Sequence, residues 1–184
     1  MWVLLVVAVV AVLWVIGAYN GLISLKNQTV NAFKQIDVQL KRRHDLIPNL
    51  VNAVKGAMDF ERSTLEAVVN ARNHAMKAEG VKQISQAENA LSGALSRLMV
   101  TVERYPQLKA TANIGQLQEE LTSTENRIAF ARQLYNDTAT QYNTKQQQFP
   151  TTLVAGIANA SPTDLWEIEA PAERAVPTVD LSAR

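Results

Sequence analysis

The sequence predicts an all-α protein in which an N-terminal transmembrane helix continues into a long antiparallel three-helix bundle. Residues 1–18 include 17 hydrophobic residues and carry no charge. From residue 19 to residue 149, apolar residues recur at intervals of three and four, which is the spacing of one helix face, and no stretch alternates as a half-buried strand would. That region contains two prolines, Pro48 and Pro106. The pattern favours long helices that pack through a coiled-coil-like seam.

The first predicted element is a transmembrane helix over residues 1–18. A helix of this length spans about 27 Å, close to the ~30 Å hydrocarbon core of a bilayer. The alternative is a cleaved signal peptide, which usually has a basic residue before its apolar part. No Lys or Arg precedes the apolar run here, so we expect a retained anchor. The residues assigned to this anchor include Trp2, Leu5, Val9, Leu13, Trp14 and Ile16.

Basic residues predict the orientation of this anchor. None precedes it, whereas Lys26, Lys34 and the basic run 41–43 follow it. The positive-inside rule therefore favours a single-pass protein of the cytoplasmic membrane with its bulk domain in the cytoplasm. An extracytoplasmic domain is the alternative.

Three bundle helices are predicted, over about residues 19–78, 82–105 and 110–149. Gly80 suits a left-handed position after the first, and a proline follows each of the other two. Together with the anchor, the first helix would be on the order of 110 Å long, against about 60 Å for the third. Part of it should therefore stand alone as a stalk or pack on other copies of the chain.

Two weak points are expected in that first helix. Pro48 removes one backbone hydrogen bond, which predicts a kink or a break near residues 44–48. Gly56 is the second weak point. Beyond Pro150 we expect a short amphipathic or helical segment over residues 150–170, followed by an extended acidic tail over residues 171–184.

Composition disfavours enzymatic chemistry. The chain has no cysteine and two histidines, so thiolate metal sites, cysteine nucleophiles and most acid–base constellations lack their parts. Its net charge of +1 argues against a nucleic-acid partner. Glu119, Glu120 and Glu125 are more typical of a solvated face than of a catalytic pair. We therefore predict no catalytic residue, no metal and no cofactor.

The most distinctive polar run surrounds His44. A solvated basic patch is the majority interpretation; a phosphoacceptor histidine and contact with lipid headgroups are alternatives. A further interpretation places Arg43 partly buried and paired, because it falls on the apolar stripe between Leu40 and Ile47. Charges three or four residues apart could then form a ladder that sets helix register. The candidate interaction or register residues are Asp37, Lys41, Arg42, Arg43, Asp45, Pro48, Asn49, Tyr135, Asn136 and Tyr142.

The pairs Tyr135–Asn136 and Tyr142–Asn143 repeat at a seven-residue interval. A tyrosine at a core position often uses its hydroxyl in a hydrogen bond. We interpret these pairs as helix–helix contacts rather than as a ligand site.

Several runs in order resemble the LemA family over nearly the whole chain. They are the segments 30–43, 45–51, 103–110, 125–132, 135–137 and 175–181. The resemblance implies a bacterial protein with a long-helix bundle and no established enzymatic activity. It also implies a family with magnetosome-associated members, often encoded beside a membrane protein with a TPM-type domain or a membrane metalloprotease.

These observations lead to two hypotheses. The first is a membrane-anchored, non-enzymatic scaffold that self-associates into a homo-oligomer on the lipid bilayer. The second is a monomeric adaptor that docks a membrane enzyme or signalling partner through residues 41–43 or through the acidic tail.

Overall fold

A computed structural model describes residues 1–57, 62–105 and 112–167. Within these ranges the chain forms helices and no strand, so the all-α class and the long apolar N-terminal helix are confirmed. The helices are α1 (Trp2–Ala57), α2 (Arg62–Ala75), α3 (Gly80–Glu103), α4 (Ala112–Gln147) and α5 (Thr152–Ala155).

The helix predicted over residues 19–78 is two helices, because α2 folds back along α1. The Nε of Arg72 donates a hydrogen bond to the carbonyl of His44 at 2.7 Å. In one straight helix these residues would lie about 42 Å apart. α1 ends at Ala57, next to the weak point expected at Gly56. Periodicity did not reveal the reversal, since the apolar stripe continues through α2 at Leu65 and Val68.

Gly80 has a φ of +74°, the left-handed conformation expected from the sequence. It does not follow the end of a helix directly, because α2 ends at Ala75 and Gly80 opens α3. A residue with a side chain would be strained in this conformation.

The head of the molecule is a four-helix arrangement. It comprises residues 43–57 of α1, all of α2 and α3, and residues 112–125 of α4. These helices share one apolar core, in which the fully buried members are Ile47, Leu50, Val54, Val68, Leu91, Leu98, Val102 and Ile114.

The stalk comprises residues 19–42 of α1 and 126–147 of α4. The two helices run antiparallel, because Arg42 pairs with Glu120 whereas Leu22 packs with Tyr142. Ile36 and Ile128 are fully buried between them. From residue 19 onward α1 is about 58 Å long and α4 about 54 Å. Outside the anchor the predicted length mismatch is therefore wrong: once α2 folds back, α4 matches this part of α1, and α1 exceeds α4 only by the anchor.

A third element completes the stalk. After α4 the chain makes helical turns through α5 and then runs without regular secondary structure to residue 167. Residues 161–167, which we call the strap, lie along α4 and place Trp166 in the stalk core. The helical segment predicted over residues 150–170 is thus helical only around α5. Residues 168–170 and the predicted acidic tail lie outside the described residues.

Residues 1–17, the first part of α1, are exposed and pack against no other helix in the described ranges. Among the described residues, α1 is the one helix long and apolar enough to cross a membrane, with a mean hydropathy of 2.6 in a stretch of which none is buried. All six residues assigned to the anchor are exposed.

Candidate functional site

An ionic cluster lies inside the bundle where the head meets the stalk. The side chains of Arg43 in α1 and Glu88 in α3 are 3% and 0% exposed, with Nη1 of the arginine 3.4 Å from Oε2 of the glutamate. The same nitrogen lies 3.1 Å from Oε2 of Glu125 in α4. Nη2 donates a 2.8 Å hydrogen bond to Oγ of Ser92. One guanidinium therefore joins three helices, and each buried charge has an opposite charge beside it, as burial requires.

The imidazole of His44 contacts the other carboxylate oxygen of Glu88. Its Nε2 lies 2.6 Å from Oε1 of that carboxylate, and the imidazole side chain is 12% exposed. A carboxylate only accepts hydrogen bonds, so Nε2 is the donor. A phosphoacceptor histidine needs an accessible nitrogen, and this one is held against a buried acid. The geometry therefore disfavours the phosphotransfer interpretation.

The carbonyl of His44 explains how α1 continues through Pro48. Proline has no N–H, so the carbonyl four residues earlier loses its helical partner. Arg72 supplies the missing donor from α2, at 2.7 Å. The helix is continuous across residues 44–48, so a break there is wrong. The reversal of α2 thus places Arg72 beside the carbonyl that Pro48 leaves without a helical donor.

The remaining charges of the run do not form the predicted ladder. Asp37, Lys41 and Asp45 are exposed, and none makes an ion pair within 4 Å in the ranges given above. Arg42 lies 3.9 Å from Glu120, with side chains 50% and 37% exposed. A pair of this kind contributes at most about 1 kcal/mol. The ion pairs that set register run between helices.

Sequence reasoning identified none of the partners of Arg43. Glu88 has capping-box spacing from Ser85, but it lies in the middle of α3, and Ser85 Oγ donates instead to the carbonyl of Lys82. Glu125 looked like part of a solvated face. The one available signal was the position of Arg43 on an apolar stripe, which indicates a buried charge without identifying its partner. Asn49, another candidate, is exposed.

A second polar arrangement holds the strap on α4. Asn136 accepts the N–H of Trp166 at 2.8 Å and donates to its carbonyl at 3.1 Å. Asn143 makes the same pair of bonds with Thr163, both at 2.8 Å. Each side-chain amide thus pairs with one residue's backbone as a neighbouring strand would. We call these two asparagines the clamp.

The spacing of the clamp matches the strap it holds. Asn136 and Asn143 are seven residues apart, about 10.5 Å along a helix. Thr163 and Trp166 are three residues apart, about 10 Å in an extended chain. The seven-residue spacing of the two clamp asparagines therefore matches the spacing of residues in an extended partner.

The tyrosines beside the clamp have different surroundings. Tyr135 donates from Oη to the carbonyl of Asp164 in the strap at 2.6 Å. Its ring also makes the predicted helix–helix contact, because it packs edge-on against Phe33 of α1 with ring centroids 5.7 Å apart. Burial, and secondly the charge of Asp164, raise the pKa of Tyr135 to about 12. Tyr142 is buried, but its hydroxyl meets no hydrogen-bond partner in the described part of the chain.

Trp166 anchors the end of the described strap. It is 2% exposed, and the guanidinium carbon of Arg132 lies 4.9 Å from the centre of its ring. A cation at this distance from an indole face is attracted by its π electrons. The strap therefore contributes both a backbone ladder and a large apolar group to the stalk.

The stalk carries an exposed apolar surface on its flank. Val38 of α1 is 63% exposed, and Phe130 and Leu134 of α4 are 74% and 43% exposed. These residues line one groove, with Lys34 and Arg127 at its rim. We call Val38, Phe130 and Leu134 the stalk patch. Exposed apolar groups that lie together commonly mark an interaction surface.

The polar groups of these sites hydrogen-bond to other helices or to the strap. No group of three or more metal-ligating side chains occurs in the residues that the structure describes. The described polar groups hold helices and strap in register.

The fold and these sites define a class of helical-bundle protein with an apolar N-terminal helix and an internal ionic cluster. A family model described as the LemA family matches residues 32–181. The chain belongs to the LemA family, as the resemblance in its motifs implied.

Named relatives agree with this assignment. The chain is 26% identical over 181 residues to Magnetosome protein MamQ 2 of Paramagnetospirillum magneticum, covering 84% of this chain and 66% of that protein. It is 28% identical over 144 residues to Protein LemA of Metamycoplasma hominis, covering 76% and 64%. For Magnetosome protein MamQ of Magnetospirillum gryphiswaldense the identity is 24% over 158 residues, covering 72% and 58%. The aligned regions thus span no more than 66% of these relatives.

Proposed function

We propose that this LemA-family chain is a membrane-anchored helical scaffold, without enzymatic activity of its own, that self-associates through the stalk patch. The observation that carries the proposal is the 74% exposure of Phe130 beside Val38 and Leu134. Three large apolar groups that face water in one groove of the stalk favour a surface that another protein covers.

The anchor is supported by the unburied N-terminal part of α1. Eleven of residues 1–18 are Val, Leu or Ile, which together favour insertion by roughly 3–7 kcal/mol. Lys26 and Lys34 follow this segment, and the positive-inside rule favours the cytoplasmic side for a flank that carries basic residues. We therefore propose a single-pass protein of the cytoplasmic membrane, with the head and stalk on the cytoplasmic side.

Anchoring favours a second copy as the occupant of the stalk patch. Copies held in one membrane share an orientation, so a two-fold axis along the membrane normal brings identical patches to the same height. Confinement to a surface also raises their effective concentration. Lys34 and Arg127 would remain in water at the rim of such a contact, while the apolar centre would be covered.

This basis for self-association differs from the expectation drawn from helix lengths. The sequence suggested that an unpaired part of the first helix would stand alone or pack on other copies of the chain. In the structure α4 pairs with α1. The stalk patch replaces that part of the helix as the proposed contact.

Cysteine cross-linking in membranes tests the proposal, because the chain has no native cysteine. Phe130→Cys in the full chain should give an oxidised adduct of twice the 20.3 kDa chain mass. Val100→Cys, at an exposed apolar position on α3 away from the patch, is the matched control and should give little. An adduct of Phe130→Cys with a different membrane protein would favour the adaptor alternative. No adduct of Phe130→Cys would count against self-association through the stalk patch.

A further inference from the structure

A second exposed apolar face lies at the turn after α4. Phe149, Leu153 and Ile157 are 81%, 66% and 71% exposed. Hydrogen bonds four residues apart run through this turn, from the N–H of Ala155 to the carbonyl of Thr151 and onward. Residues spaced by four on such turns lie on one side. We call residues 149–157 the apolar turn.

The opposite side of the same turn is bound to the bundle. Val154 and Ala158 are buried, and Ala158 packs against Leu22 of α1 and Tyr142 of α4. The turn is therefore held in place by its inner side. Its outer side presents three large apolar groups that the described part of the chain leaves largely exposed.

The position of the turn along α1 indicates what covers that outer side. Leu22 lies four residues beyond Ala18, the end of the apolar run, which is about 6 Å along the helix axis. The headgroup layer on each face of a bilayer is roughly 5–8 Å deep. If α1 spans the membrane, the apolar turn lies at the level of the lipid headgroups.

Charge supports the same placement. Residues 146–163 contain no Asp, Glu, Lys or Arg, and the first charged residue after the apolar run of α1 is Lys26. A charged side chain close to the hydrocarbon is costly, whereas apolar groups there are favourable. The turn and the adjoining part of α1 thus present an uncharged surface toward the membrane.

We propose that the apolar turn inserts Phe149, Leu153 and Ile157 into the boundary between headgroups and acyl chains of the membrane that holds α1. The inference rests on the proposed anchor and adds a second lipid contact on the same side. Because Ala158 and Val154 fix the turn to the base of the stalk, this contact sets the tilt of the whole bundle on the membrane.

Spin-label accessibility tests the insertion in the full chain. Single cysteines at Phe149, Leu153 and Ile157 would carry nitroxide labels, in liposomes of phosphatidylethanolamine and phosphatidylglycerol. Oxygen concentrates in lipid and a nickel chelate stays in water. At all three sites we expect oxygen collisions to exceed nickel collisions. A label at Val100→Cys, in the head, should show the reverse.

A label at Val9→Cys separates failure of the inference from failure of the anchor. If Val9→Cys reports lipid while the turn labels collide freely with nickel, the turn lies in water and the inference is wrong. If the turn labels are shielded from both reagents, protein covers them and the inference is equally wrong. If Val9→Cys itself reports water, the anchor fails, and the inference fails with it.

Discussion

The head and the stalk hold their helices in register by different means. In the head, four helices bury a shared apolar core, and one buried arginine, Arg43, links acids from α3 and α4. In the stalk, two helices cannot enclose a core alone, and the strap supplies the third side through Trp166 and the clamp. The difference shows two uses of polar groups: charges fix helix against helix, whereas side-chain amides capture an extended chain.

The largest expected difference lies between two adjacent arginines in α1. Arg43→Met removes the buried cation and leaves Glu88 with His44 alone, which should lower the free energy of unfolding by about 3–5 kcal/mol. Arg42→Met removes only a half-exposed pair with Glu120 and should cost about 0–1 kcal/mol. Urea unfolding of the full chain in mild detergent, followed by circular dichroism, measures both. Equal losses would show that the head does not depend on its internal cluster.

The stalk should be sensitive to alkaline pH. The pKa of Tyr135 is raised from 10.0 to about 12 in the fold, so the unfolded chain loses this proton first as pH rises. The stabilisation is complete below pH 10 and is lost between pH 10 and about 12. It amounts to about 1–3 kcal/mol. Urea midpoints across this range should fall more for the native chain than for Tyr135→Phe, which has no proton to lose. If the urea midpoints of the two proteins fall by the same amount across this pH range, the buried Tyr135 hydroxyl does not stabilise the fold in this way.

A double-mutant cycle tests the link between Pro48 and Arg72. Arg72→Met leaves the His44 carbonyl without a partner and should cost about 1–2 kcal/mol. In a Pro48→Ala background, residue 48 regains its N–H and can satisfy that carbonyl within α1. The same arginine substitution should then cost much less, and the difference is read from urea unfolding of the four proteins. Additive losses would mean that Arg72 acts elsewhere.

The smallest expected effect is local. Asn143→Ala removes both bonds to the backbone of Thr163, so the amide of Thr163 should exchange with solvent faster. The overall free energy of unfolding should change by less than about 1 kcal/mol, because the strap can open without unfolding the helices. Asn126→Ala, an exposed position on the same helix, is the control. Hydrogen exchange with mass spectrometry distinguishes the two, and unchanged protection in Asn143→Ala would contradict the clamp.

Much of the fold could be predicted from helical periodicity. The apolar stripe and the prolines indicate the long helices, and α3 and α4 cover residues 80–103 and 112–147. The reversal of α2 could not be predicted in this way, because a helix that folds back keeps the same periodicity. Its signal is the His44 carbonyl, which Pro48 leaves without a helical donor, and the donor is identified only when the fold places Arg72 beside it.

The candidate sites were only partly predictable for a related reason. Arg43 on an apolar stripe indicates a buried charge, but the partners at Glu88 and Glu125 are 45 and 82 residues away in sequence. The strap shows no periodic pattern of side chains, because α4 binds its backbone atoms. Every residue type has these backbone atoms, so the sequence does not reveal the contact. The repeat of Tyr135–Asn136 was visible, but nothing local shows whether its partner is a helix or an extended chain.

The proposed scaffold is tested most directly by the copy number of the full-length protein. Light scattering, corrected for bound detergent, gives the protein mass of each particle. We expect two or more copies for the native chain and for Val100→Ser, and a shift to the monomer for Phe130→Ser. A native chain that stays monomeric at every concentration, or a Phe130→Ser variant that assembles like the native chain, would contradict self-association through the stalk patch.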